Sequence, residues 1–245
     1  VRKAFQLVSA LLLAVFAGGD AAAAASCGDP VDLDAALLRA VPELESFSLE
    51  NGLRVHLVPR PGDQTVSVRV AYDVGARDEA PGRGGVAHLF EHMMFKGSGR
   101  VPDGGHFRIV RDAGGRTNAT TDYDSTQYWD TVPVAALERV LFAEADRMTS
   151  LRLSAANLDN QRAAIREEGL GLENMPYVRA ATEFGLDLWA GTPYGHSPLG
   201  TPEELAATTP AQAAAFHARY YTPGNAVLVV AGGFDPARAR DTVER

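Results

Sequence analysis

His88, Glu91 and His92 lie in GGVAHLFEHMMFKGS, residues 84–98, a stretch with a helical pattern. At 3.6 residues per turn His88 and His92 share one face, with Glu91 one turn from His88 and beside His92. Two neutral imidazoles so placed can each give a nitrogen to Zn²⁺, and a catalytic zinc normally takes a third protein ligand and leaves its fourth position to water. The string H-x-x-E-H inverts the H-E-x-x-H zinc motif while keeping the same jobs for histidine and glutamate. A surface helix can carry these residues for solubility alone, so the pentapeptide needs company. LDNQRAAIREEGLGLE, residues 158–173, supplies it: a second helical pattern with Leu158 and Ile165 seven apart towards a core and acids at Glu167, Glu168 and Glu173. One of those acids could reach a metal held by the two histidines.

The elements that must position these groups follow from pattern. SFSLENGLRVHLVPRP reads as two short strands around the turn Asn51-Gly52. In TVSVRVAYDVG, Val66, Val68 and Val70 alternate with Thr65, Ser67 and Arg69, the signature of a half-buried strand. Gly84-Gly85 opens the histidine helix, which runs to about Phe95, and a further helix spans about 105–113. GRTNATTDYDSTQYWDTVP, rich in Thr, Tyr and Trp, reads as two more strands. Helices are expected over about 134–149, 154–173, 176–190 and 210–220, a strand at AVLVVAGGF, and a last helix from Asp235. Strands in a block, helices in a block and then a strand imply an α+β fold, with helices packed on a mostly antiparallel sheet. A chain of 245 residues with 46% hydrophobic content is long enough to bury such a core.

With these residues in view, the sequence resembles the insulinase or pitrilysin family of zinc metallopeptidases, peptidase family M16, the inverzincins. The resemblance runs over nearly all of residues 45–240. It is carried by G-x-A-H-x-x-E-H-M-x-F-K-G at 85–97, N-A-x-T at 118–121, the acidic helix, HSPLGTPEEL and FHARYYTPGNAVLVVAGGFD. It implies one Zn²⁺ per domain, held by His88, His92 and a glutamate some 75 residues beyond the second histidine. Glu168 lies 76 residues after His92 and six after Arg162, and is expected to be that ligand, with Glu167 as the adjacent competitor. Glu91 is expected to act as the base that takes a proton from water and passes it to the leaving amine. Asn118 and Ala119 match an edge strand that pairs with an extended peptide substrate. The family commonly has a glutamate where this chain has Gln161, which keeps the length behind the ligands but loses the charge. His56, His106, His196 and His217 are set aside as ligands, and Tyr220 and Tyr221 are read as core.

The implied activity is zinc-dependent hydrolysis of peptides or small unfolded polypeptides. The alternative is a non-catalytic subunit of the same family, serving as scaffold or peptide-binding half. Family members resemble clamshells of two or four such units, so a second unit, in cis or as a separate chain, is an expected partner. Only one unit is present and Arg245 falls inside a helical pattern, so a piece of a longer protein is expected, with residues 45–245 forming the peptidase unit.

Residues 1–26 have the layout of an export signal, with Arg2 and Lys3 before an apolar run that Gly18, Gly19 and Asp20 break too early for a transmembrane helix. Residues 27–44 would then lead into the unit, in the periplasm or outside the cell. Cys27, the only cysteine, excludes an intrachain disulfide and offers a loose lipobox match as an alternative anchor. The net charge of −8 becomes −9 on losing residues 1–26, which carry two positive charges and one negative, and this disfavours nucleic-acid binding.

Overall fold

Alternation decides the sheet. In a computed structural model describing residues 44–245, Val66, Val68, Val70 and Tyr72 of β3 (Thr65–Tyr72) are all buried and the residues between them are more open. β1 (Glu45–Ser48) and β2 (Arg54–Pro59) pair antiparallel around Asn51-Gly52, where Gly52 takes φ +89° and Leu53 N donates to Asn51 Oδ1 at 3.1 Å. β4 (Arg116–Thr121) and β5 (Thr126–Pro133) form a second hairpin, and β6 (Ala226–Gly232) completes the set. The strand order is β1-β2-β6-β3-β5-β4, antiparallel throughout except for the parallel pair β2 and β6. β4 is therefore an edge.

Helices cover the face that buries the valines. α1 (Val86–Met93) packs on β4 and β5 through Val86, Leu89, Phe90 and Met93, spaced i, i+3, i+4, i+7. Leu89, Phe90 and Met93 are fully buried, each contributing about 1.5–3 kcal/mol of transfer energy. Then come α2 (Gly105–Asp112), α3 (Leu137–Ser150) and α4 (Ala155–Glu173), the last capped by Ser154, whose hydroxyl accepts from Asn157 N at 3.1 Å. α5 (Val178–Leu188) buries none of its residues. α6 (Pro202–Ala207) and α7 (Pro210–Tyr220) each open with a threonine capping box and a proline, and α8 (Pro236–Glu244) opens at Asp235. α6 goes beyond the sequence expectation: T-P-E-E at 201–204 carries its start signal, but the helix is only six residues long.

Beneath α1 lies a buried ionic knot. His106 Nε2 donates to Asp130 Oδ1 at 3.0 Å, while the Arg147 guanidinium binds Glu144 at 2.5 and 2.9 Å. His106, set aside as a ligand in the sequence, is thus one of four buried polar groups from α2, β5 and α3. Burial and the nearby Arg147 hold its pKa down at about 3, so it is a neutral donor. Arg147 also lies over the rings of Tyr128, at 4.5 Å, and Phe95, at 5.0 Å. Tyr128 in turn donates to the Phe90 carbonyl at 3.1 Å, bracing α1 from below.

Among the described residues no helix is long and apolar enough to cross a membrane. The expected export signal and nearly all of the leader lie outside the described residues.

Candidate metal centre and cleft

α1 starts on Gly85 in the left-handed conformation, φ +83°, with no capping side chain of its own. Its first N–H groups are satisfied by Glu79, whose carboxylate accepts from Gly85 N at 2.9 Å and from Ala87 N at 2.7 Å. One turn further on, His88 and His92 stand with ring centroids 4.8 Å apart and planes at 82°.

α4 crosses α1 and buries Leu158, Gln161 and Ile165, a stripe of spacing three and four. Glu168 is the next member of that stripe. Its Oε2 lies 3.4 Å from His92 Nε2 and 3.7 Å from His88 Nε2. Glu167, about 100° round the helix, faces a different groove, between α4, α5 and α6. Gln161 is buried on the same stripe, and its amide donates to Asn160 Oδ1 at 2.5 Å.

Burial, with His92 beside it, lowers the His88 pKa to about 4, so its ring is neutral near pH 7. At these separations the facing nitrogens and the carboxylate oxygen repel through their lone pairs unless a cation or a proton lies among them. Two histidines and a carboxylate are also a donor set that zinc takes, so the residues fit the metal. Glu91 stands beside the set, its Oε2 4.0 Å from His88 Nε2, and burial raises its pKa, with Glu168 and Asp122 adding to the effect. A buried carboxyl with a raised pKa is a stronger base than an ordinary glutamate.

All four residues line one cleft of about 670 Å³. Asn118 to Thr121 of edge strand β4 form part of its wall, as do Ala181, Thr182 and Gly185 of α5 and Ser197 to Leu199 of the following loop. Asn118 and Ala119 therefore share the cleft with the histidines. Glu79, the α5 residues and the 197–199 segment were not read from sequence as part of the site, because each reaches it only through tertiary approach.

The remaining histidines lie elsewhere. His56 bonds Ser46 Oγ at 2.8 Å, His196 meets Glu79 at 3.0 Å, and His217 stacks on Tyr221 at 5.5 Å. The grouping of His106, Asp130 and Glu144 resembles a second ligand set, but the Arg147 guanidinium on Glu144 already supplies its positive charge.

Comparison with known proteins agrees with this architecture. Residues 54–201 match Insulinase (Peptidase family M16), and residues 207–245 match Peptidase M16 inactive domain. Zinc protease PqqE of Helicobacter pylori is 33% identical over 194 residues, which is 78% of this chain and 44% of that protein. Probable zinc protease PqqL of Escherichia coli is 29% identical over 219 residues, 86% of this chain and 23% of that protein. The chain thus spans less than half the length of these curated relatives. Among solved structures, a protease from Helicobacter pylori superposes with TM-score 0.79 at 30% identity, over 83% of this chain and 50% of that one. The periplasmic protease PqqL from Escherichia coli gives TM-score 0.75 at 27% identity, over 82% and 23%. With its mixed six-stranded sheet under helices, its H-x-x-E-H helix and a family match over more than half its length, the chain belongs to the insulinase family, peptidase family M16.

Proposed function

We propose that this chain is the catalytic unit of a zinc-dependent endopeptidase. One observation carries the proposal: Glu91 and the convergent set His88, His92 and Glu168 line the same cleft as an edge strand. His88, His92 and Glu168 would hold one zinc ion, which when bound supplies a Lewis acid that polarises the scissile carbonyl and makes water more acidic. Glu91 takes the proton of the attacking water and delivers it to the leaving amine. Asn118 and Ala119 offer main-chain groups of β4 to an extended peptide, a pairing that reads conformation more than sequence, so the substrates are peptides or small unfolded polypeptides. Gln161 backs the ligand helix without charge.

A non-catalytic role as scaffold or peptide-binding half is the competing reading. The presence of all four chemical residues in one cleft favours catalysis. The relatives' greater length supports a second unit of the family as partner, in cis or as a separate chain. The periplasmic relative supports export, together with the signal-like residues 1–26.

The test is Glu91→Gln in the full-length protein. Zinc content by elemental analysis is expected to stay at the parent value, while cleavage of a quenched fluorescent peptide falls by about 10² to 10⁴, the range for losing a general base. Near-normal turnover would refute the catalytic reading.

A further inference from the structure

Glu79 and His196 are 117 positions apart and meet at the base of the histidine helix. Both Glu79 oxygens are committed to the first turn of α1, through Gly85 N and Ala87 N, and His196 Nε2–H adds a third bond at 3.0 Å. Glu79 is only 1% exposed while His196 is 31% exposed. The carboxylate alone suffices to cap the helix, and the histidine adds nothing to backbone satisfaction and little to the core.

What His196 does fix is its own segment. The next three residues, Ser197 to Leu199, form a wall of the cleft. Two glycine contacts hold the same segment against α1: a Cβ at Gly85 would collide with the Leu199 carbonyl, and one at Gly200 with the Gly84 carbonyl. Just upstream, Tyr194 donates to Asp124 Oδ1 at 2.8 Å, tying the segment to the turn between β4 and β5. α5, which leads into the segment, buries nothing that could position it from that side.

We propose that His196 and Glu79 are a positioning pair, in which His196 clamps the Ser197–Leu199 wall to the first turn of the helix bearing His88, holding the cleft at a width that grips an extended peptide. The pair deepens the peptidase reading and rests on it. It assigns to His196 a role distinct from metal binding and to Glu79 a role beyond capping.

The experiment uses full-length zinc-loaded protein with Glu91→Gln as the parent, which prevents turnover. His196→Ala removes the donor, and His196→Gln restores an amide donor of similar reach. Hydrogen exchange over residues 194–201, zinc content and the Kd for a fluorescein-labelled ten-residue peptide of mixed sequence are measured for each. His196→Ala is expected to speed exchange and to weaken peptide binding by about tenfold, the scale of one hydrogen bond to a charged group, with zinc content unchanged. His196→Gln should recover most of both losses. Equal peptide affinity and exchange in His196→Ala, or a His196→Gln no better than the alanine variant, overturns the pair while leaving the peptidase reading standing. A parent that does not bind the peptide at all overturns the cleft reading and the pair's role with it.

Discussion

Glu168 and Glu167 are adjacent in sequence and differ in almost everything else. The stripe Leu158, Gln161, Ile165 turns one face of α4 towards α1, and Glu168 continues it to within 3.4 Å of His92. Glu168→Gln is therefore expected to lower zinc affinity by more than about 100-fold, since even groups one layer behind the ligands are worth 10 to 100-fold. Glu167→Gln should leave zinc content at the parent value. Elemental analysis after dialysis against a weak chelator separates the two, and the opposite result would exchange their roles. The acidic helix was legible in the sequence, because Leu158 and Ile165 mark its core-facing side, but that pattern left Glu167, Glu168 and Glu173 open and the choice of Glu168 came from the family resemblance. Glu79 was not legible. Its work depends on backbone groups six and eight residues ahead and on His196, and no local pattern announces such a meeting.

The elements carry the next level of constraint. α1 can begin where it does only because Gly85 accepts a positive φ and lets the Leu199 carbonyl approach. Gly85→Ala adds left-handed strain of roughly 1–2 kcal/mol and a collision with backbone, for a total of at least about 2 kcal/mol. In a unit of this size that lowers Tm by roughly 4–8 °C, measurable by calorimetry of the metal-free protein. An unchanged Tm would mean that the helix start is softer than its packing implies. Strand and helix positions were largely readable, because Asn51-Gly52, the Val66-Val68-Val70 alternation and the Ser154 cap are local signals. The short helix α6 was missed because six residues give no periodicity to read, although its threonine, proline and glutamate announce a start. Nor did local signals show that β6 would enter the sheet between β2 and β3, since strand order is decided by long-range packing.

At the scale of the whole molecule, the ionic knot under α1 couples stability to pH. His106 has a folded-state pKa of about 3, against roughly 6.5 when unfolded. Its neutral form therefore stabilises the fold fully above about pH 6.5, and the contribution is lost as pH falls from there towards 3. Urea unfolding at pH 7, 6 and 5 should show His106→Gln losing less stability with acid than the wild type, by up to about 1.4 kcal/mol per pH unit. Parallel curves would place the acid sensitivity elsewhere. The cleft has a counterpart at this scale: one unit holds the proposed base and ligands, but an oxyanion donor facing the substrate is worth about 10² to 10³ in rate. On the proposal that a second unit of the family supplies such a donor, residues 27–245 alone are expected to cleave a fluorescent peptide at least about 100-fold more slowly than when joined to that unit at equal zinc occupancy. Comparable kcat/KM would show that one unit suffices. The placement of β6 also bears on how the chain is made. β2 and β3 are finished by residue 72, yet the strand that joins them is not complete until residue 232. Through the synthesis of some 160 residues, two apolar strand edges stay open to pairing with other chains. This sheet is closed from its middle and late, so the nascent chain carries these open edges until the keystone strand arrives.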